Sequence, residues 1–238
     1  MSEEVRLVKT VLIFGASTDI GVNLAEYFSK MGYNVIATYN KNPIKVEGVE
    51  FFKCNVRSEL DITNAIKSVI DRYKRLDLII NMASISMDSE LIDKTKEEFM
   101  RVLEVNLVGA FLATKVYSRY IEDGMIVNIA STDGIDTYSA YNIDYSASKA
   151  GLINLSKSTS LCTTNKVMCI CPNWIDSETT REMDPDYLNS ELKRINQARL
   201  LTINEVSENI FKIINEPFET GDVFRIDIKD DKLWTGKI

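Results

Sequence analysis

The sequence of 238 residues contains no histidine. A Ser-His-Asp triad, a HExxH zinc site and a histidine general base therefore cannot be built from this chain alone. The four cysteines include no CxxC pair, which disfavours a zinc site and is typical of reduced, buried thiols; they are Cys54, Cys162, Cys169 and Cys171. We expect no metal centre. Acid–base chemistry near neutral pH must depend on a Tyr, Lys, Cys or carboxylate whose pKa is shifted.

Positive charge and long apolar runs are also scarce. The chain has 28 Lys and Arg against 35 Asp and Glu, a formal net charge of −7, and no basic stripe, so we expect no nucleic-acid partner. The apolar runs fall far short of the ~18 residues that a membrane span needs. The N-terminus, MSEEVRLVKT, has no apolar signal core. These absences predict a cytoplasmic protein that does not bind membranes.

Short apolar runs alternate with helical stretches along the whole length, and no linker or repeat divides them. The apolar runs predict strands over 10–14, 34–39, 49–54, 76–81, 125–130, 167–171 and 223–228. Helical spacing predicts helices over 20–31, 59–73, 97–121 (in two pieces), 145–160 and 205–214. Strands without polar alternation are typical of a parallel sheet that is buried on both faces. We therefore expect one α/β domain over residues 1–238, a Rossmann-like doubly wound, mostly parallel sheet of about seven strands with helices on both faces.

The first strand leads into the turn GASTDIG at residues 15–21, which precedes the first helix. Small residues at such a turn let the backbone approach a pyrophosphate, and the start of the helix supplies free N–H groups. An ordinary tight turn can carry the same residues. The position after the first strand of an alternating series favours a dinucleotide site.

Tyr145 and Lys149 lie four residues apart, and so on one face of a predicted helix. An ammonium near a phenol stabilises the phenolate and lowers the pKa of the tyrosine from about 10. In a chain without histidine this pair provides a general acid–base. Taken alone, a YxxxK pair is more typical of a solvated surface.

Further motifs follow in a fixed order: NMAS at 81–84, VNLVGAF at 105–111, NIAS at 128–131 and CPNWIDS at 171–177. Together with GASTDIG and YSASK, they resemble the short-chain dehydrogenase/reductase superfamily over residues 9–227. The motifs look most like those of members of the 3-oxoacyl-(acyl carrier protein) reductase type. The resemblance implies an NAD(P)(H)-dependent oxidoreductase that interconverts a ketone or 3-oxoacyl group and the corresponding alcohol.

The resemblance also assigns four catalytic roles. Tyr145 would exchange a proton with the substrate oxygen, and Lys149 would lower the pKa of Tyr145 and bind the nicotinamide ribose. Ser131 would bind and polarise the carbonyl oxygen. Asn106 would hold a water molecule that links Lys149 to solvent.

The same resemblance places further residues against the cofactor. They are Gly15, Ser17, Thr18, Ile20 and Gly21 at the phosphates, Asn55 and Val56 at the adenine, Asn81 and Ala83 at the ribose, Ile175 at the carboxamide, and Tyr145 and Lys149 at the nicotinamide.

The end of the second strand, Thr38 to Lys41, carries no acid of the kind that family members using NAD usually have there. Tyr39 and Lys41 at this strand end are expected to contact the cofactor, and NADP(H) is favoured because Lys41 could pair with a 2′-phosphate. NAD(H) stays possible, since Lys41 could equally be a solvent-facing loop residue.

Several family positions are altered: Phe14 precedes the first glycine, and Asp19, Ser84 and Asn173 replace glycines. A carboxylate about 4 Å from a phosphate would cost roughly 4 kcal/mol at an effective dielectric constant of 20. We expect Asp19 to avoid that cost by turning outward or by capping the helix. The alternative to an enzyme is a catalytically weak or inactive dinucleotide-binding sensor or scaffold.

Substrate and assembly are less sharply predicted. Residues 176–201 are expected to form a lid over the substrate. Relatives that serve acyl carrier protein carry basic residues before the fifth strand, where this chain has Glu122-Asp123-Gly124, so a small carbonyl compound is at least equally favoured. The resemblance implies a homodimer or homotetramer that associates through the two helices of residues 97–121 and 145–160. Core packing explains much of their apolar surface, which is formed by Phe111, Leu112, Val116, Ala150, Leu152 and Leu155.

Overall fold

The computed structural model describes residues 8–238. The strands are β1 (Thr10–Phe14), β2 (Asn34–Tyr39), β3 (Val49–Lys53), β4 (Leu78–Asn81), β5 (Met125–Ile129), β6 (Lys166–Pro172), β7 (Asp222–Lys229) and β8 (Lys232–Lys237). The α-helices are α1 (Asp19–Lys30), α2 (Glu59–Tyr73), α3 (Lys96–Leu103), α4 (Gly109–Tyr120), α5 (Ile143–Thr159), α6 (Glu178–Arg181), α7 (Pro185–Arg194) and α8 (Ile203–Asn215). A π-helical turn (Glu104–Val108) joins α3 to α4, and a 3-10 turn (Thr132–Gly134) follows β5.

The strands form one sheet in the order β3-β2-β1-β4-β5-β6-β7-β8. Adjacent strands are parallel from β3 through β7, and β8 is antiparallel to β7. The strand order reverses between β1 and β4, which is where doubly wound sheets bind ligands at the carboxyl ends of their strands. The predicted α/β Rossmann-like fold is confirmed.

The eighth strand was not predicted from the sequence. Its residues, KLWTGK, contain no apolar run, because β8 lies at the sheet edge and is largely exposed. The turn before it holds Asp230 and Asp231 at φ values of 49° and 58°, the left-handed backbone that tight hairpins need. Edge strands that carry lysines also resist pairing with other chains.

Alternate residues of β1 enter two different cores, which is why the strand shows no polar alternation. Val11 and Ile13 pack into the layer that contains residues of α1 and α8. Leu12 and Phe14 pack into the opposite layer, with residues of α2 and α4. A smaller cluster under α5 includes Leu152, Cys169 and Cys171. The sheet is therefore covered on both faces, and its carboxyl edge is held in place from both sides.

The described chain contains no helix that is both long and apolar enough to cross a membrane. All four cysteines are free thiols.

Candidate active site

The turn between β1 and α1 depends on two close backbone approaches. Gly15 has a φ of 82°, and a Cβ atom added to it would lie 2.2 Å from the Cα atom of Ala83. A Cβ atom on Gly21 would lie 2.5 Å from the Cα atom of Ala16. Thr38 fixes the turn from β2, since its Oγ1 accepts a hydrogen bond from the Gly15 N–H at 3.0 Å and its carbonyl accepts one from Ala16 at 2.9 Å. Both glycines are therefore required by the geometry of the turn.

This turn presents unpaired N–H groups. Within residues 8–238, the backbone N–H groups of Ser17, Thr18 and Asp19 donate to no protein acceptor. Thr18 is the N-cap of α1 and accepts from the Gly21 N–H at 3.3 Å. Ser17 and Thr18 are exposed. The arrangement fits a diphosphate, because free N–H groups at a helix start bind anions.

Asp19 is the first residue of α1 and not its N-cap, which corrects one detail of the expectation. Its Oδ1 accepts from the Ile20 N–H at 2.9 Å, so the carboxylate does satisfy a free donor at the helix start. Its Oδ2 accepts from the Glu178 N–H at 2.7 Å, across the cleft at α6. Both oxygens are therefore engaged by backbone donors.

The residues expected at the adenine end lie at the carboxyl ends of β2 and β3. Lys41 is exposed, and Tyr39 and Asn55 are half-buried. Asn55 donates its N–H to Asp61 at 3.0 Å and accepts at Oδ1 from the Arg57 N–H at 3.2 Å. Val56 is buried at 8% exposure and packs against Gly109. Within residues 8–238, Lys41 forms no ion pair, and Val56 and Asn55 are fixed by contacts within the fold.

Asn81 and Asn128 belong to a buried network at the ends of β4 and β5. The Asn81 amide donates to Asn128 Oδ1 at 2.8 Å, and the Asn128 amide donates to Ser156 at 2.8 Å. Ala83 lies against Gly15. Asn81 therefore holds neighbouring strand ends together, and its amide nitrogen is already used within the fold.

Ile175 pairs with Leu201 in a short parallel bridge. The Leu201 N–H donates to the carbonyl of Trp174, and the Asp176 N–H donates to the carbonyl of Leu201. The Ile175 N–H has no backbone acceptor among the described residues.

Lys149 and Tyr145 lie on one face of α5. Lys149 is only 2% exposed, and its Nζ lies 5.3 Å from the centroid of the Tyr145 ring. The same Nζ donates to the carbonyl of Ile129, at the end of β5, at 2.9 Å. Burial lowers the pKa of Lys149 to about 8, while the nearby Cys169, Cys171 and Asp133 oppose that shift. The carbonyl at the end of β5 thus holds the Lys149 ammonium close to the Tyr145 ring.

The Tyr145 phenol is surrounded by polar groups. Burial, followed by the charge of Asp133, raises the pKa of Tyr145, while the hydroxyls of Ser131 and Ser84 beside it lower it. Ser131 is 9% exposed and caps the 3-10 turn by accepting from the Asp133 N–H at 3.1 Å. This direction is opposite to the lowering expected from Lys149, because burial is the largest influence on the phenol. A raised pKa keeps the phenol protonated at neutral pH, so that it can act as an acid.

Asn106 lies in the π-helical turn, and π turns within α-helices are frequent at functional sites. Its Oδ1 accepts from the Ile85 N–H at 2.9 Å, and its amide donates to the Ile85 carbonyl at 3.0 Å and to Ser148 Oγ at 3.1 Å. The side chain thus holds the segment after β4 against α5 at Ser148, the residue directly before Lys149. All four predicted catalytic residues are brought to one edge of the sheet.

The sequence did not single out Asp133, a buried carboxylate that lies near Tyr145 and Lys149. It is 7% exposed, accepts from Thr137 Oγ1 at 2.7 Å, and lies near the Trp174 indole and the cations of Arg194 and Lys149. Burial raises the pKa of Asp133, while those donors and cations lower it. The only signal in the sequence was its place two residues after Ser131, at the end of a predicted strand.

Two of the altered glycine positions now have structural explanations. The Asn173 side chain is buried, accepts from Thr132 at 2.9 Å and donates to Asp227 at 2.7 Å, which joins the ends of β5, β6 and β7. Ser84 adds a hydroxyl beside Tyr145.

The segment 176–201 contains α6 and α7 and is anchored at both ends. Gln197 exchanges two hydrogen bonds with the Trp174 backbone, at 2.8 and 3.2 Å. Arg194, the last residue of α7, donates to the carbonyls of Thr137 at 3.1 Å and Tyr138 at 2.6 Å. These bonds hold α7 against the loop that follows the Ser131 turn.

Several known proteins are similar to this chain in sequence or in fold. A 3-oxoacyl-[acyl-carrier-protein] reductase of Thermotoga maritima is 30% identical over 237 residues, covering 92% of this chain and 96% of its own. A dehydrogenase/reductase from Sinorhizobium meliloti 1021 superposes with a TM-score of 0.82 at 24% identity, covering 92% and 93% of the two chains. The structure of ElxO with NADP bound superposes with a TM-score of 0.76 at 24% identity, covering 92% and 96%.

The family model for short chain dehydrogenase matches residues 9–188, from the start of β1 through the first residues of α7. That range includes the turn between β1 and α1, together with Asn106, Ser131, Tyr145 and Lys149. The chain belongs to the short-chain dehydrogenase family.

Proposed function

We propose that the protein is an NAD(P)(H)-dependent oxidoreductase that interconverts a ketone or 3-oxoacyl group and the corresponding alcohol. The observation that carries the proposal is the buried Lys149 ammonium beneath a Tyr145 phenol, with Ser131 beside that phenol. No histidine competes with this pair for proton transfer. The similarity to a 3-oxoacyl reductase supports the substrate class.

In reduction, Ser131 binds the carbonyl oxygen of the substrate and Tyr145 donates its phenolic proton to that oxygen. The nicotinamide supplies the hydride when it is bound. The Lys149 ammonium stabilises the phenolate that remains, because opposite charges favour the ionised form. In oxidation, the same phenolate removes the proton from the alcohol.

The proton on Tyr145 is restored through Lys149, and a water molecule at the π-helical turn that contains Asn106 would link Lys149 to solvent. Both side-chain groups of Asn106 are taken by Ile85 and Ser148. We therefore assign the water-holding role to the backbone of the π-helical turn, whose wider hydrogen-bond spacing releases a carbonyl from the α pattern.

NADP(H) is the proposed cofactor. The residues on the turn 15–21 would hold its diphosphate, the Ile175 N–H its carboxamide, and Lys41 its 2′-phosphate. The NADP bound to ElxO, which shares the fold, supports this preference over NAD(H).

A small, free carbonyl compound is as well supported as an acyl group carried by a protein. The turn before β5 carries Glu122 and Asp123, which repel an acidic carrier. We propose that residues 1–238 form one domain and that residues 176–201 act as its substrate lid. The four free thiols support a reducing compartment, the cytoplasm.

A homodimer or homotetramer is proposed through α4 and α5. The six apolar residues expected there divide: Val116 and Leu152 are buried in the core, whereas Phe111 is 45% exposed. Ala150 is also exposed. Light scattering at micromolar protein tests this proposal, and a monomer would contradict it.

The Asp19 carboxylate at the phosphate turn favours one alternative, a nucleotide-binding sensor without turnover. A single experiment separates the two functions. Purified protein is titrated with NADPH while the cofactor's fluorescence is followed, and NADPH oxidation is then measured with a panel of diketones, small ketones and oxoacyl thioesters. Binding with turnover supports the enzyme, binding without turnover on any substrate supports the sensor, and no binding contradicts both.

A further inference from the structure

A buried ion pair stands directly beside the Tyr145 backbone. Lys94 Nζ lies 3.0 Å from Asp144 Oδ2, and the two side chains are 3% and 0% exposed. Lys94 belongs to the segment 82–95 between β4 and α3, and Asp144 is the second residue of α5. The pair therefore joins two segments that are far apart in the sequence.

Asp144 also binds Tyr145 itself. Its Oδ1 accepts a hydrogen bond from the Tyr145 N–H at 2.9 Å. The N-cap residue of α5, Asn142, makes no side-chain capping bond. The first N–H groups of a helix have no backbone acceptor within the helix, so side chains or water have to act as acceptors. Asp144 supplies one to Tyr145, and Lys94 holds the carboxylate that supplies it.

Backbone bonds tie the segment 82–95 to its surroundings, from the Met82 N–H to the Phe14 carbonyl at 3.1 Å and from the Ser89 N–H to the Tyr141 carbonyl at 3.2 Å. Two further anchors involve side chains, and both belong to the catalytic edge. Near its start, Ile85 exchanges two hydrogen bonds with the Asn106 side chain. Near its end, Lys94 Nζ binds Asp144 and also donates to the carbonyl of Met87. Between β4 and these anchors lies Ser84, whose hydroxyl is beside the Tyr145 phenol.

Stability alone does not account for such a pair. A buried ion pair pays a large desolvation cost, and well-packed apolar residues of similar size are often as stable or more so. The pair instead fixes the orientation of the Asp144 carboxylate. One of its oxygens is bound by the Lys94 ammonium and the other by the Tyr145 N–H.

We propose that Lys94 and Asp144 are positioning residues that fix the Tyr145 end of α5 against the segment carrying Ser84. This inference rests on the proposed function, in which Tyr145 is the proton donor. Small displacements of a reacting group are costly in catalysis. Losing the pair should therefore lower kcat, and the affinity for the cofactor should stay unchanged.

Three variants test the proposal. Lys94→Met leaves Asp144 buried without a counter-ion, and Lys94→Met/Asp144→Asn removes both charges while keeping an acceptor for the Tyr145 N–H. The matched control is Arg75→Met/Asp77→Asn, which removes a partly buried pair at the opposite, amino-terminal edge of the sheet. Thermal unfolding, kcat, KM, NADPH affinity and amide hydrogen exchange are measured on each full-length protein.

We expect Lys94→Met to lower Tm and to reduce kcat by more than about tenfold. The double variant should regain about half of the lost Tm or more, because no unpaired charge is left buried. Its kcat should stay at least about fivefold below wild type. In both variants NADPH affinity should change little, and peptides covering 82–95 and 143–149 should exchange faster. The control should lose Tm and keep kcat.

If kcat returns together with Tm in the double variant, the pair is only structural and the proposal is wrong. The proposal is also wrong if amide exchange in 82–95 and 143–149 is as slow in both variants as in the wild-type protein. Hydrogen exchange tests whether the pair holds 82–95 against the start of α5, and it does so even if the wild-type protein reduces no substrate. That last outcome would contradict the proposed function separately.

Discussion

The carboxylate of Asp19 connects the phosphate turn to the first residue of α6, because its Oδ2 accepts the Glu178 N–H at 2.7 Å. Its Oδ1 accepts the Ile20 N–H at 2.9 Å. A negative charge at a position where relatives carry glycine is thus stabilised by two backbone donors. The charge also ties the turn that would hold the cofactor to the proposed lid.

Asp19→Gly tests what this charge does to cofactor binding. We expect a loss of about 1–3 kcal/mol of unfolding free energy, because two hydrogen bonds disappear. NADPH affinity should change by less than about threefold at both low and high salt, since the carboxylate is directed at Ile20 and Glu178. Titrations of both proteins at two salt concentrations check this. A large gain in affinity that shrinks as salt rises would show that Asp19 repels the phosphates, and would strengthen the sensor alternative.

Lys41→Glu tests the cofactor preference. Only NADPH carries a 2′-phosphate for the exposed Lys41 ammonium to pair with, so the substitution should weaken NADPH binding by about tenfold or more. NADH binding should change far less. Exchanging the exposed Lys45, four residues further along the same loop, for Glu provides a matched charge change. Equal losses for both cofactors, or an equal effect of Lys45→Glu, would mean that Lys41 does not read the ribose.

Asp133→Asn tests the electrostatic influence of the buried carboxylate on proton transfer. The negative charge of Asp133 raises the pKa of both Tyr145 and Lys149, and burial is the larger influence on each. Removing it lowers both pKa values, so the phenol and the ammonium lose their protons at lower pH. The alkaline limb of kcat/KM for reduction should therefore move to lower pH, which rate profiles between about pH 6 and 10 would show. A limb that stays in place would contradict the direct influence of Asp133.

Lys149→Met is expected to be more stable than wild type at pH 7 and inactive. Burial holds the pKa of Lys149 at about 8, against 10.5 for an ordinary lysine. That difference corresponds to a cost of up to about 3 kcal/mol, reduced in the comparison by the lost hydrogen bond to Ile129.

The pH dependence of this stability difference has a definite sign. Between the two pKa values the unfolded chain binds more protons than the native protein, so wild-type stability rises with pH from about 8 to 10.5. The advantage of Lys149→Met should therefore shrink across that window. Denaturant unfolding at several pH values measures it, and a variant less stable than wild type at pH 7 would contradict the cost of the buried charge.

Much of the fold and of the candidate site could be predicted from local patterns in the sequence. The apolar runs predicted β1 and its parallel neighbours because each strand is buried on both faces. Four-residue spacing placed Tyr145 and Lys149 on one helix face, and the small residues of the turn 15–21 predicted a close backbone approach. These features depend on residues that are near one another in the sequence.

Other features depend on contacts between distant residues, and the sequence alone did not reveal them. In the sequence Asp133 looks like an ordinary loop acid, whereas in the structure burial raises its pKa and Trp174 and Arg194, from later segments, lower it. Lys94 and Asp144 are 50 residues apart. The strand β8 has no apolar pattern, because it needs only β7 as its partner. In each case the missing information is tertiary packing.

The most direct test of the central claim is the rate of NADPH oxidation by Tyr145→Phe, measured with the best substrate found for the wild-type protein. Phenylalanine keeps the ring over Lys149 and removes only the hydroxyl that lies beside Ser131 and Ser84. We predict an unchanged Tm within about 2 °C, NADPH affinity within about threefold of wild type, and a loss of turnover of about a thousandfold or more, because no other group can donate the proton. Turnover within tenfold of wild type would contradict the assignment of Tyr145 as the acid–base.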